Sequence, residues 1–380
     1  MGGAEKYARE VVAALLASGA AVQVGYSGDS IYDDLAGQAA PGGLTVERTD
    51  WLNEHLSGDG RIKPGVVRQR RRWLRERQID TLVAIQQNGG GAFACALVAG
   101  RMLGLRVVSS IRQQPIAPPG PTGKRWLGVI PSPEWWRRRL VWRRRVAQAC
   151  CNVLIFNSRA VADAHHALFR HDRRCERVIP NGDLVASHVD GRGPADSVAS
   201  VRSSEPTRLA SVGRVTEAKG ADLLLEAFGR LAPVHPRTTL TYYGDGPLIP
   251  TLRDRAARLG VAERVRFAGY CDDREAMYAD IDVYVQPSRR ESMSNSVVEA
   301  MARGIPCVVA DAGGLPETVD YGRSGVIFPS GRPERCAEAI DRVLSDPGEW
   351  RRLAESARRR AAEAFDRDRV RRMTVEAILG

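Results

Sequence analysis

Long apolar runs are scarce in this 380-residue chain. A membrane-spanning helix needs roughly 18 apolar residues in a row. The longest candidate, Gly89 to Gly100, falls short and sits among glycines; it reads as a buried loop and helix. The opening residues Met1-Gly2-Gly3-Ala4-Glu5-Lys6 lack the charged-then-apolar order of a signal peptide. Both absences place the chain in the cytosol. Cysteine is sparse too: seven residues, at 95, 150, 151, 175, 271, 307 and 336, with no CxxC pair and no metal-ligand spacing. An odd count without a framework suits reduced, mostly buried thiols. Three of the six histidines, His165, His166 and His171, stand together on what reads as a polar helix end, and no metal is expected there. Fixed-period repeats and low-complexity tracts are also missing.

What is present is length, ordinary hydrophobicity and one-sided charge. A chain of this length exceeds what one core usually holds, so two domains are expected. Residues 1–190 hold 27 Lys and Arg against 17 Asp and Glu, while residues 191–380 hold 29 against 28. The basic excess therefore belongs to the first half, which should meet something anionic: a membrane surface, a diphosphate-bearing substrate or, less favoured, nucleic acid. Short β-branched runs alternate with helix-length amphipathic stretches, the mark of parallel sheets covered by helices. The pattern gives a first domain over residues 1–182 and a Ser, Gly and Pro-rich linker over 183–206. A second domain follows over 207–365, helical throughout Glu334–Phe365, and then a short Arg-rich helix over 366–380 that packs back on the first domain. In open parallel sheets ligands bind at the carboxyl ends of the strands, so motifs that follow strands carry the most weight.

The densest such segment runs from Pro287 to Phe328. Glu291 ends a loop after a strand and Glu299 lies inside the next helix, eight positions on. A carboxylate can accept two hydrogen bonds from a vicinal diol. Between them Ser294, Asn295 and Ser296 start a helix, whose free amides suit an anion. A plain capped helix with two solvated glutamates is the competing reading. Gly213-Arg214-Val215 follows another strand, and Lys219-Gly220 opens the next helix; the two cations can neutralise a diphosphate. Tyr243-Gly244-Asp245-Gly246-Pro247 is a third strand-to-helix turn. At Arg266-Phe267-Ala268-Gly269-Tyr270 a strand end could present backbone to a base edge.

In this order the four segments resemble the retaining family 4 (group 1) glycosyltransferases of the GT-B fold. The paired glutamates followed by Ala300-Met301-Ala302-Arg303-Gly304-Ile305-Pro306, and later Gly313-Gly314-Leu315-Pro316-Glu317, carry the likeness. It runs from about Thr207 to Phe328, and more loosely through Asn181-Gly182 back to Gly2-Gly3. The resemblance implies two Rossmann-like doubly wound domains facing a central cleft. It implies that Arg214 and Lys219 hold the donor diphosphate, that Glu291 contacts the donor sugar and Glu299 the ribose, and that Ser294–Ser296 lie on the phosphates. Gly213, Gly244, Gly246 and Tyr270 would complete the donor site, with Gly2, Gly3 and Arg112 on the acceptor side. Relatives carry a His where this chain has Arg112, so Arg112 is expected either on a phosphate or acceptor or as a plain surface arginine.

The expected activity is transfer of a sugar from a nucleoside-diphosphate sugar to a glycan or lipid-linked acceptor in envelope polysaccharide or glycoconjugate synthesis. No metal or other cofactor is expected. The alternatives are a sugar-nucleotide epimerase or hydrolase of the same fold, and a nucleotide-sugar-binding protein without turnover. Asp280-Ile281-Asp282 precedes its strand and reads as local capping. The run Trp135 to Arg145 alternates Trp and Arg, but its cations surround the helix. It reads as a solvated helix with a Trp-anchored inner edge, then as a peripheral contact with the inner face of the cell membrane, and last as a nucleic-acid surface. Relatives begin with a strand ahead of the Gly-Gly loop. Here helix Ala4–Ser18, apolar at Val11, Val12, Leu15 and Leu16, wants a sheet beneath it, and the native protein is expected to begin upstream.

Overall fold

The computed structural model describes residues 3–26, 44–48, 62–86, 93–115, 133–182 and 207–380. The chain forms two units. Met1–Pro180 and Asp368–Gly380 make the first, Asn181–Arg367 the second. Residues 183–206, read as a linker, lie outside the described residues, as does Gly2.

In the first unit α1 (Gly3–Ala17) leads to β1 (Val22–Tyr26) and β2 (Leu44–Arg48), which pair in parallel. Then follow α2 (Pro64–Glu76), β3 (Thr81–Gln86), α3 (Ala94–Met102), β4 (Arg106–Ile111), α4 (Pro133–Ala149), β5 (Val153–Phe156), α5 (Arg159–Phe169) and β6 (Glu176–Val178). Strands β3-β4-β5-β6 form a parallel sheet in that order. β4 is buried along almost its whole length, which explains its unbroken apolar run. Val107 and Ile111 turn to one face, against Ala94, Leu97 and Ala147. Val108 turns to the other, against Tyr7, Val11 and Leu15 of α1 and Val370 and Ile378 of the terminal helix α13 (Arg367–Leu379). Helices thus cover both faces. The apolar stripe of α1 finds the sheet that the sequence required. α13 is held there as well: Arg106 donates to the carbonyls of Ile378 (2.7 Å) and Ala377 (3.1 Å), a cation at a helix C-terminus. Arg371 pairs with Glu10 at 2.5 Å. Among the described residues no strand joins β1 to β3.

The second unit runs β7 (Arg208–Val212), α6 (Ala221–Leu231), β8 (Thr239–Tyr243), α7 (Ile249–Arg258), β9 (Val265–Gly269), α8 (Arg274–Ala279) and β10 (Val283–Gln286). It continues α9 (Asn295–Ala302), β11 (Cys307–Ala310), α10 (Leu315–Thr318), β12 (Val326–Phe328), α11 (Pro333–Ser345) and α12 (Pro347–Ala364). Its six strands form one parallel sheet ordered β12-β11-β10-β7-β8-β9. The order reverses between β7 and β10, the place where ligands bind in open parallel sheets.

One sequence expectation about the fold needs correction. The helical stretch Glu334–Phe365 is two helices, because Asp346 breaks it. Its carboxylate caps Gly348 and Glu349 and Pro347 opens α12, so the second helix starts afresh. Elements β2, β6, β12, α8 and α10 were not read from the sequence. The strands are short, and β6 is Glu-Arg-Val, with no alternation to see.

Candidate functional site

Glycines set the scaffold of the site. At Gly220, between β7 and α6, φ is +70°, and an added Cβ would lie 2.0 Å from the Pro287 carbonyl oxygen after β10. At Gly244, after β8, φ is +132° and a Cβ would lie 2.1 Å from the Gly213 carbonyl oxygen. Only glycine lets the three loops touch backbone to backbone. Gly246 is equally crowded, against the Val215 carbonyl.

The β7 and β10 loops are then stapled together. Arg289 makes a two-pronged ion pair with Asp222, both bonds 2.7 Å, and donates to the Glu217 carbonyl. Burial works to raise the Asp222 carboxyl, but the Arg289 fork outweighs it, and the group titrates below its usual range. The Arg289 and Arg290 amides both donate to the Ala218 carbonyl. As a result Lys219 reaches Glu291, and their ion pair is 2.5 Å long. Arg214, exposed on the same β7 loop, has no ion-pair partner among the described residues.

Beneath Glu291 runs a buried chain of polar side chains. Tyr284 donates to Gln286 (2.6 Å), and Gln286 donates to Ser288 (2.7 Å), which lies 3.5 Å from Glu291. Burial pushes the Tyr284 hydroxyl well up, so it stays protonated and donates. Ser294 caps α9 by accepting the Val297 amide, and its hydroxyl also meets Gln286 and Ser296. The Asn295 side chain accepts from Asn181 at 2.6 Å. The cap leaves the amides of Asn295 and Ser296 as orphan donors at a positive helix end. Glu299, one turn further on, is 6% exposed and far from solvated. Its carboxylate takes Arg274 and Tyr278. Tyr270, after β9, is 70% exposed.

Two family models match, one to each half. "Glycosyltransferase Family 4" covers residues 1–182 and "Glycosyl transferases group 1" covers residues 195–360. The chain is similar to the lipopolysaccharide core biosynthesis glycosyltransferase LpsE of Rhizobium meliloti, 33% identical over 49% of this chain and 54% of LpsE. It is similar to a D-inositol 3-phosphate glycosyltransferase of Jonesia denitrificans, 32% identical over 62% of this chain and 58% of that protein. The chain spans about half the length of the curated relatives it matches. Among solved structures, Anabaena Alr3699/HepE in complex with UDP superposes with a TM-score of 0.72 at 21% identity. That match covers 100% of this chain and 96% of HepE. WaaG, a glycosyltransferase involved in lipopolysaccharide biosynthesis, gives 0.69 at 18%, covering 100% and 97%.

This chain belongs to the group 1, family 4 glycosyltransferases. Its fold is GT-B, as the sequence implied.

Within this family 4 chain the structure brings Lys219, Glu291 and the start of α9 together, with Gly213 and Arg214 on the adjoining loop. Of the acceptor-side residues, Gly3 begins α1. Arg112 corrects the surface-arginine reading. It is buried at 7%, lies 3.4 Å over the Tyr7 ring of α1 and donates to the Ile179 carbonyl. Trp142 departs from the Trp-anchored inner edge, since it is 60% exposed while Arg143 is buried. His165 and His171 are not on a polar end but in the core, packed on Phe156. Burial lowers the His165 imidazole to about 4. Of these three, His166 and His171 come close enough to Glu176 to form a group that could hold a metal ion, although Arg159 also pairs with that carboxylate. Asp280 and Asp282 do not cap; they clamp Arg208 at the start of β7. Sequence reasoning assigned no role to Arg289 and Ser288, though they lie in the Pro287–Phe328 segment, nor to Gln286 and Arg274, which lie outside it. The one available signal was a polar Gln286 inside an apolar strand.

Proposed function

We propose that this chain transfers a sugar from a nucleoside-diphosphate sugar to a hydroxyl of a glycan or lipid-linked acceptor, with retention at the anomeric carbon and without a metal ion. One observation carries this reading. Lys219, Glu291 and the start of α9 converge at the β7/β10 reversal, beside an exposed Arg214 with no ion-pair partner among the described residues.

Negative charge grows on the diphosphate as the anomeric bond breaks. Arg214, Lys219 and the amides of Asn295 and Ser296 stand where it would grow, which stabilises the transition state electrostatically. The diphosphate competes with Glu291 for Lys219, and the carboxylate so released can accept hydrogen bonds from sugar hydroxyls. The acceptor hydroxyl attacks from the same face, and its proton passes to the departing phosphate. Gly213, Gly244 and Gly246 admit the donor backbone-close, Tyr270 flanks the base and Glu299 takes the ribose. Gly2 and Gly3 serve the acceptor side. HepE was solved with UDP, which makes UDP the first nucleotide to try.

A second reading concerns the acceptor. Trp142 is exposed on α4 together with Arg138 and Arg145, a pairing suited to an anionic membrane surface. No helix among the described residues is long and apolar enough to cross a membrane.

Thermal shift against a nucleotide panel tests the donor site; a ligand at 100 times its Kd adds roughly 2.7 kcal/mol. Release of nucleoside diphosphate only when an acceptor is added supports transfer. Release without an acceptor favours hydrolysis, and binding with no release favours a carrier.

A further inference from the structure

Glu299 is nearly buried, yet its two carboxylate oxygens are used unequally. Oε2 accepts from Nη2 of Arg274 and from the Tyr278 hydroxyl at 2.8 Å, while no described residue donates to Oε1. An sp² oxygen has two lone pairs, so two donors fill Oε2. A diol bound by a free carboxylate would give one hydroxyl to each oxygen. Here only Oε1 is left, and it can serve one hydroxyl. The group beside it is a guanidinium, which only donates and has further N–H groups to give.

The arrangement is braced from the other side. Arg303, just after α9, donates to the Glu299 carbonyl at 2.9 Å, pairs with Glu275 on α8 and lies 4.7 Å over the Tyr278 ring. The two helices are thus tied by Arg274 to Glu299 and by Arg303 to Glu275, with Tyr278 between the two guanidinium groups. Burial and the neighbouring Glu299 raise the Tyr278 hydroxyl well above its usual range, so it remains a donor.

We propose that Arg274 is a positioning and specificity residue of the nucleoside site. It occupies Oε2 of Glu299, so that the ribose is read by one donated hydroxyl at Oε1 and one accepted hydrogen bond from Arg274. The inference rests on the donor reading of Glu299 above. A guanidinium that holds the carboxylate and also touches the ribose couples binding to the hydroxyl pair, and a 2′-deoxy nucleotide loses its half of that pattern. Hydrogen bonds to charged groups are the strong class, so the loss is about tenfold or more in affinity.

The test is calorimetric titration of the full chain with UDP, GDP and ADP and with their 2′-deoxy forms, repeated on Arg274→Ala and Arg274→Lys. The wild-type chain is expected to prefer its best ribonucleotide over the 2′-deoxy form by about tenfold or more. Arg274→Ala should weaken the ribonucleotide by a similar factor and leave the deoxy form nearly unchanged, so the preference collapses. Arg274→Lys should restore part of it. Thermal melts identify misfolded variants, and the ratio of the two affinities in the folded fraction is independent of their amount. A preference kept intact in Arg274→Ala overturns the proposal while leaving the donor site standing. If the wild-type chain binds none of these nucleotides, the donor reading falls and this inference falls with it.

Discussion

The six strands of the second unit form one continuous ladder, whereas the described strands of the first unit fall into a pair and a group of four. Buried charge differs as well. Among the described residues of the second unit, Glu299 is the one buried Asp, Glu, Lys or Arg, and it sits at the candidate nucleoside site. The first unit buries Arg70, Arg112, Arg143 and Glu176, and Arg112 packs on Tyr7. In one unit the buried charge lies at the candidate ligand site. In the other, the Arg112 stem packs on Tyr7 and its head donates to the Ile179 carbonyl. Part of the first half's basic excess is therefore turned inward, and net charge counted along the chain overstates the field at its surface.

The sharpest way to break this contrast is Arg214→Ala. If the second unit carries the chemistry, loss of this cation should slow turnover by about 10² to 10³, measured as nucleoside diphosphate release. Near-wild-type transfer would remove the phosphate role. Next come two glycines of like backbone. Gly220 and Gly104 have φ of +70° and +75°, but a Cβ at Gly220 meets Pro287 while one at Gly104 meets nothing within 4 Å. Gly104→Ala in the first unit should cost about 1 kcal/mol, the left-handed penalty alone. Gly220→Ala should cost more than about 3 kcal/mol, because backbone must also move. Equal melting shifts would mean that the loop contact has no energetic weight.

Acid should separate the units too. Burial depresses the His165 imidazole to about 4 from 6.5, with its ring between Gln148 and the Gln113 carbonyl. The unfolded state takes up its proton first. The stability tied to neutral His165 is thus fully present above pH 6.5 and lost as pH falls toward 4, up to about 3 kcal/mol. The first unit should unfold ahead of the second on acidification, and His165→Gln should flatten that dependence; an unchanged acid midpoint in the variant would discount the buried imidazole.

Smaller still is the membrane term. Neutralising Arg138 and Arg145 should weaken sedimentation with anionic vesicles by about 1 kcal/mol per residue, and equal binding to neutral vesicles would refute the electrostatic part. The smallest expected effect is none at all: transfer should survive EDTA, and restoration by magnesium or manganese after a loss would contradict metal-free chemistry.

The readable and unreadable parts of the site divide along chain distance. Glu291, Ser294 and Glu299 share one loop and helix, and Gly213, Arg214 and Lys219 another, so local spacing alone suggested a carboxylate, a cap and a cation pair. Arg289 was passed over because its partner Asp222 lies 67 positions away. Arg274 was passed over because nothing near it in sequence shows that its guanidinium meets Glu299. The inner edge of α4 was read as Trp-anchored, yet Trp142 is exposed and Arg143 is buried. A helix wheel reports which residues share a face, not which face is covered, and α4 carries cations all round it.

The sequence by itself determined the alternation of strands and helices, the parallel sheets that follow from it and the motif loops at strand ends. These depend on period, turn chemistry and helix capping, all of which act over a few residues. Tertiary structure alone decided which arginines are buried and which partner each carboxylate takes. It also decided that the β7 and β10 loops are joined through Gly220 and Arg289. Each of these depends on elements brought together by the core, where burial makes an unpaired charge costly and so selects its partner.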